Sequence, residues 1–97
     1  MSKLSQTNYG TGRFNRPLYE LRESRGWTQK QMGEAIGYFN NHTVMRVENG
    51  ISGGKLDFWQ AVQRAFNVPD EAMWSLMNGD YERYNSEVNK HGTNINI

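Results

Sequence analysis

Four side chains, His42, Met45, Arg46 and Asn49, are spaced i, i+3, i+4 and i+7 and therefore share one face of a helix. Each type has a use in the major groove of DNA. Arginine forms a bidentate bond to guanine and asparagine one to adenine; methionine touches a thymine methyl, and histidine donates or accepts. Val44 and Val47 fall on the opposite side and point inward. A solitary amphipathic helix with such a face would simply be solvated. The neighbouring elements decide between a solvated face and a reading face.

No other constellation competes. His42 and His91 are the only histidines and neither has a second ligand at metal spacing, so no zinc site, other metal or cofactor is expected. The acids are scattered, and no serine or histidine arrangement suggests a nucleophile, so no enzyme is expected. The loop GISGGK at 50–55 has a glycine pair before Lys55 but lacks the first glycine of a phosphate loop, and Leu56 replaces its hydroxyl residue. A nucleotide site is rejected there. A looser use survives, in which the glycines let backbone N–H groups approach a DNA phosphate beside Ser52 and Lys55. Asn41-His42-Thr43 matches a glycosylation sequon by chance.

The elements that must hold the face are two short helices. Thr28 and Gln31 have capping-box spacing, with Met32, Ala35 and Ile36 on one face behind them. Gly37 ends that helix, predicted over Gln29–Ile36. Asn40-Asn41 caps the next, predicted over about Asn41–Glu48, and Asn49-Gly50 stops it. Two helices joined by a glycine-containing turn form a helix-turn-helix, whose second helix enters the major groove. Gly33 in mid-helix costs about 1 kcal/mol relative to alanine, which close approach of another helix would offset.

Around this pair, a first helix spans about Arg16–Arg25, capped by Asn15, with Pro17 in its first turn and Phe14 stapled to Tyr19. Leu18 and Leu21 make its inner face, and Trp27 plugs the core beside Gly26. A fourth helix, about Leu56–Phe66, carries the stripe Leu56, Trp59, Val62, Ala65 and Phe66. A fifth opens at Pro69-Asp70-Glu71, carries Met73, Trp74, Leu76 and Met77, and ends at Asn78-Gly79. The expected architecture is all-α with five helices: a flexible arm over residues 1–14, a domain over 15–79 and a tail over 80–97. Asp80 could start a short sixth helix in that tail, with Tyr81, Tyr84 and Val88 on one side. The ending KHGTNINI reads either as an edge strand or as disorder. The arm is open between a segment that reaches along the DNA backbone or into the minor groove, with Lys3, Arg13 and Arg16, and a frayed terminus.

Length and composition bound the reading. A chain of 97 residues is one small domain, and without cysteine it has neither disulfides nor thiolate metal sites. That fits a cytoplasmic protein. No apolar run approaches a membrane span, and MSKLSQTNYG lacks the apolar core of a signal peptide. Residues 13–64 carry eight Lys or Arg against five acids, whereas residues 65–97 carry two against five. The basic half suits an anionic partner, too mildly to identify one.

Residues 18–79 resemble the Cro/repressor-type, or XRE-like, helix-turn-helix family of phage and bacterial transcriptional regulators. The resemblance rests on LYELRESRGWTQKQMGEAIG, VMRVENG, LDFWQAVQRAFNV and the Trp74-to-Gly79 ending. It implies a compact lambda-repressor-like fold in which the position of Gly33 is kept small because the third helix packs over it. It implies a partly buried ion pair between Arg22 and Glu48. It also implies that Gln29 binds a DNA phosphate and that Asn41, His42, Thr43 and Arg46 face base edges; the helical spacing adds Met45 to that set. Lys30, Asn40 and Asn49, with Ser52 and Lys55, complete the expected phosphate contacts. Two features depart from the family. Tyr38-Phe39 makes the turn one residue longer, which leaves the register of Asn40 and Asn41 open by one, and the loop after Gly50 lacks the customary basic residues.

The function expected is sequence-specific binding of double-stranded DNA by a small repressor, as a homodimer on a palindromic operator. Membranes are not expected as partners, nor is a small-molecule effector. The dimer surface expected is the fifth helix and tail, where Met73, Trp74, Met77, Tyr81 and Tyr84 either lie exposed or finish the core. The alternative is a protein-interaction module, such as an antitoxin-type regulator, working through the acidic C-terminal third.

Overall fold

The computed structural model describes residues 10–37 and 39–92, with backbone alone for 91–92. Its elements are six helices: α1 (Arg16–Ser24), α2 (Gln29–Gly37), α3 (Asn41–Glu48), α4 (Leu56–Phe66), α5 (Asp70–Asn78) and α6 (Tyr81–Gly92). Among the described residues no helix is long and apolar enough to cross a membrane. Three starts follow from local chemistry. The Asn15 side chain accepts from Leu18 N at 3.0 Å. Thr28 and Gln31 close their box in both directions, at 2.8 and 3.0 Å. Asn40 Oδ1 accepts from Thr43 N at 2.8 Å, so the cap of α3 is Asn40 and its first residue Asn41. The staple also forms, with the Phe14 and Tyr19 ring centroids 5.3 Å apart.

The helix count corrects the expected five. The sixth has twelve residues and is the longest described. Asp80 Oδ1 accepts from Arg83 N, and α6 packs on α5 and α1 with Tyr84 buried and Val88 against the core. Lys90–Gly92 continue this helix rather than an edge strand; residues 93–97 lie outside the described residues. Residues 1–9 of the arm, with Lys3, also lie outside them. Its end is tied down: Gly12 N donates to Gly50 O at 3.0 Å and Arg13 Nη2 to Asn78 O at 3.3 Å. Gly50 has a φ of 76°, and a Cβ there would strike the Arg13 backbone.

The core gathers Leu18, Met32, Ile36, Val44, Val47, Phe58, Trp59, Val62 and Leu76. Trp27 lies at its edge, its ring 5.7 Å from Phe66. Two stripes run differently from their predicted course. In α4, Leu56 is exposed, and Phe58 and Ala61 are buried beside Trp59 and Val62. Leu56 is the first residue of the helix, where the chain enters from the loop ahead of the packed region. In α5, which packs against α6 and α1, the small residues Ala72 and Ser75 are buried with Leu76, while Trp74 and Met77 turn outward at 60% and 39% exposure.

Gly33 also has a different neighbour from the one expected. A Cβ there would overlap the Phe39 carbonyl oxygen and lie 3.3 Å from the Asn40 oxygen. The close approach comes from the turn's backbone rather than from the body of α3. Phe39 N donates to Gly33 O at 3.0 Å, and the Phe39 ring meets Phe58 edge to face at 5.2 Å, which holds the turn down.

Candidate nucleic-acid interface

Val44 and Val47 are buried and turn the opposite side of α3 to solvent. Asn41, His42, Arg46 and Asn49 are exposed there, and Met45 and Thr43 are half-buried. The tilt of α3 is set by Glu48, on its inner side. Glu48 Oε2 accepts from Arg22 Nε at 2.7 Å and Oε1 from Arg22 Nη2 at 3.0 Å. Arg22 Nη1 donates to Trp27 O at 2.7 Å. Hydrogen bonding to Glu48 raises the Arg22 pKa above its ordinary value, against the opposing effect of burial. The guanidinium therefore stays charged at every accessible pH.

Several residues expected at phosphates are engaged within the chain. Gln29 Nε2 donates to Glu48 Oε1 at 3.1 Å, so its side chain braces the ion pair. Asn40 Oδ1 is taken by both the N–H and the hydroxyl of Thr43, leaving its amide nitrogen to face outward chemistry. Ser52 Oγ accepts from Gly54 N at 3.1 Å. Lys30 is exposed on the first turn of α2, and Asn49 follows the last residue of α3.

Arg46, Ser52 and Lys55 converge on one cleft of 320 Å³ between α3, the following loop and the start of α4. Neither Arg46 nor Lys55 makes a side-chain hydrogen bond or ion pair among the described residues. Arg16 pairs with Glu20, Arg25 donates to the Ala65 carbonyl and Arg83 pairs with Glu87, whereas Arg64, exposed on α4, like Arg46 makes no side-chain bond among the described residues. The loop is pinned by Trp59, whose Nε1 donates to Gly53 O at 2.7 Å. The half-buried Phe39, which sequence reasoning did not place at a site, lines the apolar side of the cleft, with the buried Val47 and Phe58 behind it. An aromatic residue in a polar turn was the signal for Phe39. Phe58 gave none, because its role depends on Phe39. No group of three or more metal-ligating side chains occurs among the described residues.

Comparison with protein-family models, with curated proteins and with solved structures gives no match. Function therefore has to be argued from the geometry of this face.

Proposed function

We propose that this chain binds double-stranded DNA sequence-specifically, with α2 and α3 acting as a helix-turn-helix of the Cro/repressor type and α3 entering the major groove. The observation that carries this reading is the Arg46 guanidinium, exposed on the outward side of α3 and without a partner among the described residues, while the inward side is held by the Arg22–Glu48 pair. A rigid helix with an uncommitted fork donor suits bidentate contact to guanine. His42, Asn41 and Met45 flank it, and Lys30 and Lys55 lie where phosphate ridges would run. In this reading the protein is a small transcriptional repressor.

One helix of eight residues reaches few base pairs. Useful affinity then calls for a homodimer on a palindrome with half-sites about 34 Å apart. Trp74 and Met77, exposed on α5, are the surface on which we place the second copy. The same two residues favour the runner-up, a module that binds a different protein through its C-terminal third.

Selection of bound sites from a random duplex pool, followed by titration of the enriched site at two salt concentrations, tests the proposal. Affinity should fall steeply with salt, and an excess for the enriched site over a scrambled one should persist. A pool that never enriches would leave the interaction-module reading in its place. Sedimentation of the free and DNA-bound chain tests the dimer, and a monomer in both states would remove it.

A further inference from the structure

We propose that Gln29 is a positioning residue of the reading face: its bond to Glu48 fixes the angle between α2 and α3, and preference among DNA sequences depends on that angle. The family resemblance implies a DNA phosphate as the partner of this side chain. Its amide is instead turned onto a buried carboxylate, Gln29 Nε2 donating to Glu48 Oε1 at 3.1 Å, with Glu48 2% exposed. The dependence on sequence rests on the DNA reading; the tether itself does not.

The place of that bond gives it leverage. The turn joins the end of α2 to the start of α3, and there Phe39 N donates to Gly33 O at 3.0 Å. Gln29 is the first residue of α2 and Glu48 the last of α3, so their bond closes the pair at the ends far from the turn. Among the described residues it is the one side-chain hydrogen bond between the two helices. The rest of their contact is apolar, with Met32, Ile36, Val44 and Val47 in one core. Apolar burial is non-directional and leaves the angle free to drift. An eight-residue helix is about 12 Å long, so a tilt of about 10° at the turn moves its far end by about 2 Å. A binding constellation has to be held to within about 0.5 Å.

The angle matters because each helix carries a different contact. Lys30 follows Gln29 and is exposed on α2, and Arg46 lies two residues before Glu48 on α3. In the DNA reading the first holds a phosphate and the second reads a base, so the tether sets one register against the other. Arg22 ties the same carboxylate to α1 through bonds of 2.7 and 3.0 Å, which gives both helices a common anchor. The capping box of Thr28 and Gln31 fixes the first turn of α2, from which Gln29 reaches.

The experiment compares the full chain with Gln29→Met, which keeps the length of the side chain and removes the donor. Both Glu48 oxygens stay bonded to Arg22 in the variant, so it folds, which circular dichroism checks. Without DNA, amide hydrogen exchange should quicken about tenfold at Val47, Glu48 and Asn49, the worth of one hydrogen bond to a charged group, and stay unchanged in α5 and α6. No change in α3, or an acceleration spread evenly over α5 and α6, overturns the tether. In the unaltered chain the Gln29 side-chain amide should exchange more slowly than that of Gln60, which is exposed and unbonded among the described residues; equal rates overturn it.

On DNA, Gln29→Met should lower the ratio of enriched-site to scrambled-site affinity about tenfold, with the scrambled affinity little changed. Equal loss on both duplexes is the mark of a phosphate ligand and overturns the positioning role. A duplex series with one phosphate at a time replaced by neutral methylphosphonate should give matching profiles for the two chains. A position that weakens the unaltered chain and spares the variant overturns the role as well. An unaltered chain that enriches no duplex refutes the DNA reading and leaves the exchange result standing.

Discussion

Arg22 and Glu48 meet through two hydrogen bonds of 2.7 and 3.0 Å and tie α1 to the last residue of α3, with Glu48 only 2% exposed. Gln29 closes the group from α2. Withdrawing two charges from water costs several kcal/mol per ion, and their attraction offsets this only with good geometry and further hydrogen bonds. Here every carboxylate oxygen is bonded, and Arg22 also reaches the Trp27 carbonyl. The pair fixes how α3 is presented more than it adds net stability.

That view gives an asymmetric expectation. Arg22→Met or Glu48→Leu alone should cost about 3 to 5 kcal/mol, because each strands a buried charge. The double variant should recover most of the loss while relaxing the orientation of α3. Urea unfolding of the three variants reads this; additive losses would show that the two groups are uncoupled.

Gly33→Ala should destabilise. Helix propensity alone favours alanine by about 1 kcal/mol. The new methyl would overlap the Phe39 carbonyl, and overpacking of this kind costs about 1 to 3 kcal/mol. Thermal unfolding decides the sign, and a higher midpoint would mean that the turn can lift away from α2 at little cost.

Asn15 serves two helices. Its oxygen caps α1, and its Nδ2 donates to the Leu76 carbonyl of α5 at 2.8 Å. Asn15→Ala should cost about 2 to 4 kcal/mol, the cap plus a buried carbonyl left without a partner. Asn15→Asp keeps the cap but turns a buried carboxylate oxygen on the Leu76 carbonyl, so its loss at neutral pH should be larger. Denaturant titrations that rank the two in the opposite order would contradict this division.

Burial of Tyr84 against the core raises its phenol pKa above the ordinary value. The folded chain then holds the proton at a pH where the unfolded chain releases it. The contribution is complete below the unfolded value of about 10 and disappears as pH climbs through the raised folded value. Tyr84→Phe should flatten the alkaline fall in stability. Urea midpoints measured across that range check it, and an unchanged slope would assign the fall to other groups.

On DNA, Arg46→Ala should lose about 1 to 3 kcal/mol on the enriched site and little on a scrambled one. Lys30→Ala should weaken both alike, since phosphates carry no sequence information. Parallel titrations on the two duplexes separate the roles; identical behaviour of the variants would undo the assignment.

Features that depend on residues three or four apart were legible before any fold was known. The caps at Asn15, Thr28 and Asn40 and the Phe14–Tyr19 staple belong to this class, because both partners lie within one turn and local geometry brings them together. The outward face of α3 followed from the same period, with Val44 and Val47 marking its inner side.

Which face each remaining helix buries was settled by neighbours far along the chain. Leu56 and Trp74 are apolar enough for a core, yet both stay exposed, with the Arg83 guanidinium over the Trp74 ring at 5.4 Å, while Ala72 and Ser75 are buried in a helix packed against α6 and α1. The chemistry of Asp80 permitted a sixth helix, but its twelve residues are held by docking on α1 and α5. The pairing of Arg22 with Glu48 came from a family resemblance; that Gln29 shares the carboxylate, and that Arg46 and Lys55 share a cleft, came only with packing. Periodicity names the residues that one helix can bury together. Burial itself needs a second surface, and only the assembled chain supplies one.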